Sequence, residues 1–269
     1  MTVDTDTLSN EDLEVTMTND GYVLRANLDR PDKSNAVNEN VVEGLLGVMD
    51  AVDGSGVRVV VVRGNGGTFS SGGDLGDIDE RGEQTALERR EDEAGLSELY
   101  DAMHSMDALT VAAVEGYCLA GGCGIASACE FIVAEDEATF GTPEANVGMF
   151  PMQAMASIMR TVPEKRGLKM LFTGEFVSAQ EAHEMGLVTD IYDVDAFDEE
   201  LEAFVDTLAS NSPVMISLGK EAYYAQREMD FDRAHSYLHE MLVLLMMSED
   251  HEEGIQAFLE DREPQWKGK

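Results

Sequence analysis

Four consecutive valines, 59–62, sit inside the segment VRVVVVR (57–63), and a glycine-rich loop, GNGGTFSSGGDLG (64–76), follows at once. A strand without apolar/polar alternation has to be buried on both faces, so it belongs inside a sheet with helices on either side. Residues 110–114 and 131–134 read as further buried strands. Ahead of them, residues 13–18 and 22–28 alternate as strands around the hairpin signal Asn19-Asp20-Gly21. Residues 40–52 carry Val41, Leu45 and Val48 on one helical face, and the small residues 120–128 suit a tightly packed helix starting near Gly121. Residues 77–107 read as charged and helical, with a mobile stretch around Arg81 to Arg90, and residues 140–150 read as a loop. The alternation of strand, glycine loop and helix predicts an α/β fold built of βαβ-type units. From about Asp195 no strand signal remains. Near the end, Ala234, Tyr237, Leu238, Met241, Leu242 and Leu245 recur at helical spacing, with Val243, Leu244, Met246 and Met247 widening the stripe. That pattern predicts a helix buried nearly all round, against this chain or a second copy.

The charge balance removes several functions. Against 54 Asp and Glu stand 18 Lys and Arg, a net charge of −36 spread along the whole chain. Such a surface repels nucleic acid and anionic membranes, which are bound by neutralising phosphates. No apolar run is long enough to span a bilayer. The start, MTVDTDTLSNEDLEV, lacks the basic-then-apolar pattern of a targeting signal, so a cytoplasmic location is expected. Cys118, Cys123 and Cys129 cluster in one small-residue stretch, which suits buried thiols better than disulfides or a metal site. His235 and His239 share a helix face, but no third ligand accompanies them.

The loop at 64–76 is no nucleotide-binding loop. Gly64-x-Gly66 is followed by Phe69 where a glycine is needed, and no G-K-[ST] occurs. It offers bare backbone instead. Gly72-Gly73-Asp74 can expose an N–H, and Ala120-Gly121-Gly122 opens a helix whose first-turn amides lack intrahelical partners. Amides from Gly73 and Gly121 converging on one oxygen would stabilise an oxyanion. The competing reading is that both are close-packing glycines.

The ordered segments LDRPDKSNAVN, FSSGGDL and GYCLAGGCGIASACEFIVAEDEATFGTPEANVGMFP, with residues 187–194 and EGIQAFLEDREPQW near the end, resemble the crotonase (enoyl-CoA hydratase/isomerase) superfamily. The resemblance runs from about Leu13 to Trp266. It implies a spiral of ββα turns over residues 1–194 that carries the active site. A C-terminal helical region, 195–269, would build a homotrimer or a dimer of trimers. It implies an acyl-CoA substrate, with coenzyme A as part of that substrate rather than a separate cofactor. By the same resemblance, Lys33, Ser34, Asn35 and Ala36, with Ser71, Asp74 and Leu75, lie along the CoA. Gly73 and Gly121 fall on the oxyanion positions, Met149 near the acyl pocket, and Trp266 and Lys267 near a neighbouring subunit's CoA.

Hydratases of that family resemble one another in using two glutamates, one in the small-residue helix and one in a P-E loop. Here Pro143-Glu144 supplies the second, while the helix position is Gly124, which has nothing to ionise. Moving a double bond needs one base that takes a proton from one carbon and returns it at another. The expectation is therefore double-bond isomerisation with Glu144 as sole acid/base. Hydration of a trans-2-enoyl-CoA, with another carboxylate such as Asp74 or Glu115 reaching in, is the alternative. A non-catalytic acyl-CoA-binding subunit is the alternative of another class. A glutamate restored at 124 is expected to raise hydration wherever the helix accepts it.

A charge of −36 with few lysines predicts self-repulsion that salt must screen. The melting temperature should rise between about 0.1 and about 2 M KCl, as the Debye length falls to roughly 3 Å. A flat profile in a thermal scan would refute this.

Overall fold

The computed structural model describes residues 3–74, 85, 87–88 and 95–269. The expected hairpin opens the sheet. Strands β1 (Leu13–Thr18) and β2 (Val23–Leu28) pair antiparallel, Leu13 opposite Leu28 and Thr18 opposite Val23. Asn19, Asp20 and Gly21 turn between them with φ of 52°, 54° and 91°, the left-handed region their residue types tolerate. Helix α1 (Glu39–Val52) starts at Asn38, whose side chain accepts from the Val41 N–H, and it buries Val41, Leu45 and Val48.

Strand β3 (Val59–Gly64) lies parallel between β2 and β4 (Leu109–Val114). Its valines serve two faces, as their unbroken run requires. Val60 and Val62 join the main core with Leu45 and Val48, whereas Val59 and Val61 join a second cluster. Helix α2 (Gly95–Ser105) realises the end of the helix expected over 77–107. Most of residues 77–94, with most of the expected mobile segment, and Leu75 before them lie outside the described residues.

From β4 onward the chain repeats one turn. Strand β4 leads into short β5 (Tyr117–Leu119) and then α3 (Ala120–Ala128). Strand β6 (Phe131–Glu135) leads into short β7 (Thr139–Gly141), a 3-10 turn (Pro143–Val147) and α4 (Met152–Thr161). The 140–150 stretch is thus not a plain loop; a three-residue strand is too short to leave a periodic signal. After α5 (Glu164–Thr173), β8 (Val177–Ser178), α6 (Ala179–Glu184) and β9 (Asp190–Tyr192), the long strands are ordered β1-β2-β3-β4-β6-β9. The short strands form a second layer, β5-β7-β8, continued by the bridges Ser70–Cys118 and Val37–Gly73. Long strand, short strand, helix is the expected ββα spiral.

Helices α7 (Phe197–Ala209), α8 (Pro213–Gln226), α9 (Phe231–Met246) and α10 (Glu249–Glu260) follow, and no described strand lies beyond Tyr192. Phe197, Leu201 and Val205 of α7 cover the second face of the sheet. Helix α9 is not buried all round. Only Ala234 and Met241 are covered, while Leu242, Leu244 and Met246 are more than half exposed, because α9 packs chiefly on α8. No described helix is long and apolar enough to cross a membrane. All three cysteines are free and buried, and burial pushes the thiols of Cys118 and Cys129 up, that of Cys129 to about 12.

Lys220 of α8 pins the helical region to the spiral. Its Nζ, on a residue 5% exposed, donates to the carbonyls of Met103 and Ala108 at 2.6 Å each and lies 3.3 Å from Glu130 Oε1. Glu130 also accepts from Thr110 and from the Tyr224 hydroxyl. Removing one partner of a buried pair leaves the other charged and unpaired. Lys220→Met should therefore lower the unfolding free energy by about 3–5 kcal/mol in denaturant titrations; a loss below about 1 kcal/mol would show the pair to be dispensable.

Candidate active site

The site lies where the second layer ends. Each of its three segments comes a few residues after one of the short pairings Ser70–Cys118–Phe140. Ser70, fully buried, holds them together. Its hydroxyl donates to the Asn35 carbonyl (2.7 Å) and accepts from the Gly72 N–H (3.1 Å), while its backbone exchanges bonds with Tyr117 and Leu119 (2.9 Å each). The glycines around it are packing requirements. A Cβ on Gly122 would meet Ser70 Oγ at 2.7 Å, and one on Gly72 (φ 100°) would strike the Ala120 side chain. Ala120 itself sits at φ 49°, a strained conformation for a residue with a Cβ.

This packing brings the two candidate amides together. Val37 N–H donates to the Gly72 carbonyl (2.7 Å) and Asp74 N–H to the Val37 carbonyl (2.9 Å), so the N–H of Gly73 faces the opposite side. On that side stands Gly121, in the first turn of α3, whose N-cap Leu119 supplies no capping side chain. A Cβ on Gly121 would lie 3.8 Å from Gly73 N. Gly72 and Gly122 are close-packing residues, whereas Gly73 lies next to Gly121 in the first turn of α3 with little packed against either.

The expected CoA-side residues divide. Ser34 and Asn35 are consecutive left-handed residues, φ 50° and 52°, that fold the loop back so that Ser71 N–H donates to the Ser34 carbonyl (2.9 Å). Asn35 is fully buried and spends its side chain on the backbone of Arg30, Asn65 and Thr68, while its N–H donates to the Arg30 carbonyl and its own carbonyl accepts from Ser70, so it shapes the loop from within rather than facing a ligand. Ala36 is buried. Lys33 is exposed, with Nζ 3.1 Å from Asp74 Oδ2, which also meets Arg30 Nη2 at 2.8 Å. Glu115 is held by Arg63 (2.5 Å). Asp74 and Glu115, the carboxylates considered for a second acid, are thus both engaged with cations. Leu75 lies outside the described residues. Met149 is exposed, and its N–H caps the Glu144 carbonyl (3.0 Å). At the far end, Trp266 Nε1 donates to the Ser210 carbonyl (2.6 Å), and Lys267 meets Glu249 and Asp250, so the tail is docked on its own chain.

Glu144 is the second residue of the 3-10 turn after β7. Its Oε2 is buried without a hydrogen-bond partner among the described residues, and burial raises its carboxyl above the ordinary range, opposed by its own backbone amide. The room beside Gly124 is taken. A Cβ there would strike the Tyr100 hydroxyl and lie 3.0 and 3.2 Å from Ala154 Cβ and Cα. Tyr100 is 6% exposed, its hydroxyl has no partner, and burial, then Cys123 and then the Glu144 charge hold its phenol far above its usual range and neutral. Sequence reasoning missed Tyr100 because its spacing from Met103 reads as core. The one available signal was a tyrosine, with its polar tip, at a position where phenylalanine would pack.

Known proteins match this chain over nearly its whole length. The family model described as Enoyl-CoA hydratase/isomerase matches residues 18–269. Enoyl-CoA hydratase domain-containing protein 3, mitochondrial, of Danio rerio is 32% identical over 96% of this chain and 90% of its own length. The 2,3-dehydroadipyl-CoA hydratase of Escherichia coli (strain K12) is 30% identical over 92% of this chain and 96% of its own. The crystal structure of an enoyl-CoA hydratase from Mycobacterium smegmatis superposes with a TM-score of 0.89 at 31% identity, covering 96% of this chain and 99% of that one. With a matching fold, a family model spanning nearly the whole sequence and relatives aligned almost end to end, the chain belongs to the enoyl-CoA hydratase/isomerase family of the crotonase superfamily.

Proposed function

We propose that this enzyme shifts the double bond of an enoyl-CoA thioester, with Glu144 as its only acid/base. The carboxylate takes a proton from C2 of a 3-enoyl thioester. The C–H electron pair passes into a dienolate whose oxygen accepts from the Gly73 and Gly121 N–H groups, and Glu144 returns the proton at C4. The observation that carries this reading is the room beside Gly124, which Tyr100 and Ala154 fill so that no second carboxylate enters there. A desolvated Glu144 with a raised pKa supports it, being both a stronger base when ionised and an available acid when protonated. Lys33, Ser34, Ala36 and Ser71 would line the CoA, with Met149 at the acyl pocket.

Hydration is the second reading. It is favoured by the unpartnered Tyr100 hydroxyl and by the names of relatives such as 2,3-dehydroadipyl-CoA hydratase. A purely binding subunit is disfavoured, since a buried unpaired carboxylate destabilises the fold and serves no purpose in holding a thioester. The exposed apolar side chains of α9, with Ile255, Phe258 and Leu259 of α10, support assembly as a trimer or a pair of trimers.

Glu144→Gln is expected to lower kcat for the double-bond shift by at least about 100-fold while leaving acyl-CoA affinity near normal. Retained activity would remove Glu144 from the mechanism. Because the base must be ionised and its pKa is raised, kcat/KM should fall as the pH drops, with a midpoint above the ordinary carboxylate range. Gly124→Glu, which from sequence alone promised added hydration, should instead lower the melting temperature. The new side chain meets the backbone of α4 as well as Tyr100; a stable, strongly hydrating variant would contradict this.

A further inference from the structure

The space beside Gly73 and Gly121 has one side chain at its edge among the described residues. A Cβ built on Gly73 would meet nothing within 4 Å. One built on Gly121 would meet, outside its own stretch of helix, only Gly73 N and Leu96 Cδ1, each at 3.8 Å. Leu96 lies in the first turn of α2, with Tyr100 one turn further along the same face. Gly121 and Gly124 stand in the same relation on α3, and Tyr100 fills the place beside Gly124 as Leu96 borders the place beside Gly121. The two helix faces are therefore closed on each other at Gly124 and leave room at Gly121.

Leu96 has little freedom to recede. Gly95 before it is packed so closely that a Cβ there would lie 3.0 Å from Val42 Cγ1 of α1. Leu99 and Met103 of the same helix are fully buried in the main core, and Leu96 itself packs against that core. Gln153 of α4 donates to the Ser97 hydroxyl at 3.3 Å. With α2 held by α1, by the core and by α4, the Leu96 side chain is a fixed wall.

We propose that Leu96 is a specificity-determining residue that contacts C2 of the acyl group and restricts the enzyme to thioesters unbranched at that carbon. This rests on the reading of Gly73 and Gly121 as the site of the thioester oxygen. The 33–36 loop, where the CoA would lie, joins Gly73 from the other edge through the Val37–Gly73 bridge, so the acyl chain leaves along α3 past Leu96. A hydrogen on C2 fits against the leucine methyl. A methyl group on C2 would overlap it, and a packed wall yields to an added methylene only at a cost. Glu144 takes its proton from the same carbon, so a C2 pushed aside also loses its alignment with the base.

Saturated thioesters, which have no double bond to move, test the contact by calorimetry. The wild-type protein should bind 2-methylbutyryl-CoA at least about tenfold less tightly than butyryl-CoA. Leu96→Ala should shrink that penalty to within about threefold and leave the affinity for 3-methylbutyryl-CoA relative to butyryl-CoA unchanged, while Leu96→Met, of similar volume, should keep the penalty. In turnover, Leu96→Ala should raise kcat/KM for 2-methyl-3-pentenoyl-CoA relative to 3-pentenoyl-CoA at least about tenfold. If Leu96→Ala does not fold, Leu96→Val, shorter by one carbon, should show the same relief in part. Equal wild-type affinity for the 2-methyl and unbranched thioesters, a penalty that survives the shortened side chain, or relief that falls on the 3-methyl thioester instead would each overturn the proposal. Failure of the Glu144 reading is seen separately, as Glu144→Gln retaining the double-bond shift while the calorimetric comparison still reports on Leu96.

Discussion

Everything at the site depends on how closely three backbone segments approach one another around Ser70. Its one hydroxyl bonds the 33–36 loop and the Gly72 amide, and its peptide groups pair with the strand that runs into α3. No larger side chain fits, since Gly122 would lie within 2.7 Å of Ser70 Oγ if it carried a Cβ. The approach leaves Ala120 in a left-handed conformation that the surrounding contacts must hold. What it achieves is the placement of Gly73 N against Gly121, two residues from segments far apart in sequence. A pair of donors fixed in advance needs no rearrangement when charge develops on an oxygen between them.

The sheet was legible because burial on both faces leaves its mark on the residues themselves: β3 and β4 fall within two residues of where their apolar runs place them. The second layer was not legible. Strands β5, β7 and β8 span two or three residues each and owe their existence to lateral pairing with neighbours from other turns. The glycines at 73 and 121 and the Pro143-Glu144 pair were found through motif order, whereas the approach of Gly121 to Gly73 depends on packing around Ser70. Tyr100 shows the limit most clearly. Its place beside Gly124 follows from the crossing of α2, α3 and α4, and its helix carries only an ordinary apolar face. In helix α9 the same reading holds only in part: this chain covers Ala234 and Met241 and leaves Leu242, Leu244 and Met246 more than half exposed.

The acidity of the chain and the polyanionic nature of a CoA ester pull against each other. A net charge of −36 repels such a ligand at long range, so local cations have to offset it. Arg30 and Lys33 converge on Asp74 at the edge of the proposed CoA groove, Arg30 also reaching Asp12 and Lys33 exposed. That arrangement keeps two cations fixed near the groove. It also explains why Asp74, though beside the oxyanion amides in sequence, is a poor candidate for proton transfer: its carboxylate is held by two cations, which stabilise its charged form.

Glu144 is in the opposite situation, and the contrast separates the roles of the two carboxylates. Among the described residues no cation neutralises it and its Oε2 has no partner, so this environment favours the neutral acid and makes the ionised form a strong base. A second carboxylate at 124 would have raised that pKa further by like-charge repulsion. The neutral Tyr100 phenol in its place adds a polar atom without a second charge to desolvate. Moving a proton between carbons needs only one titrating group.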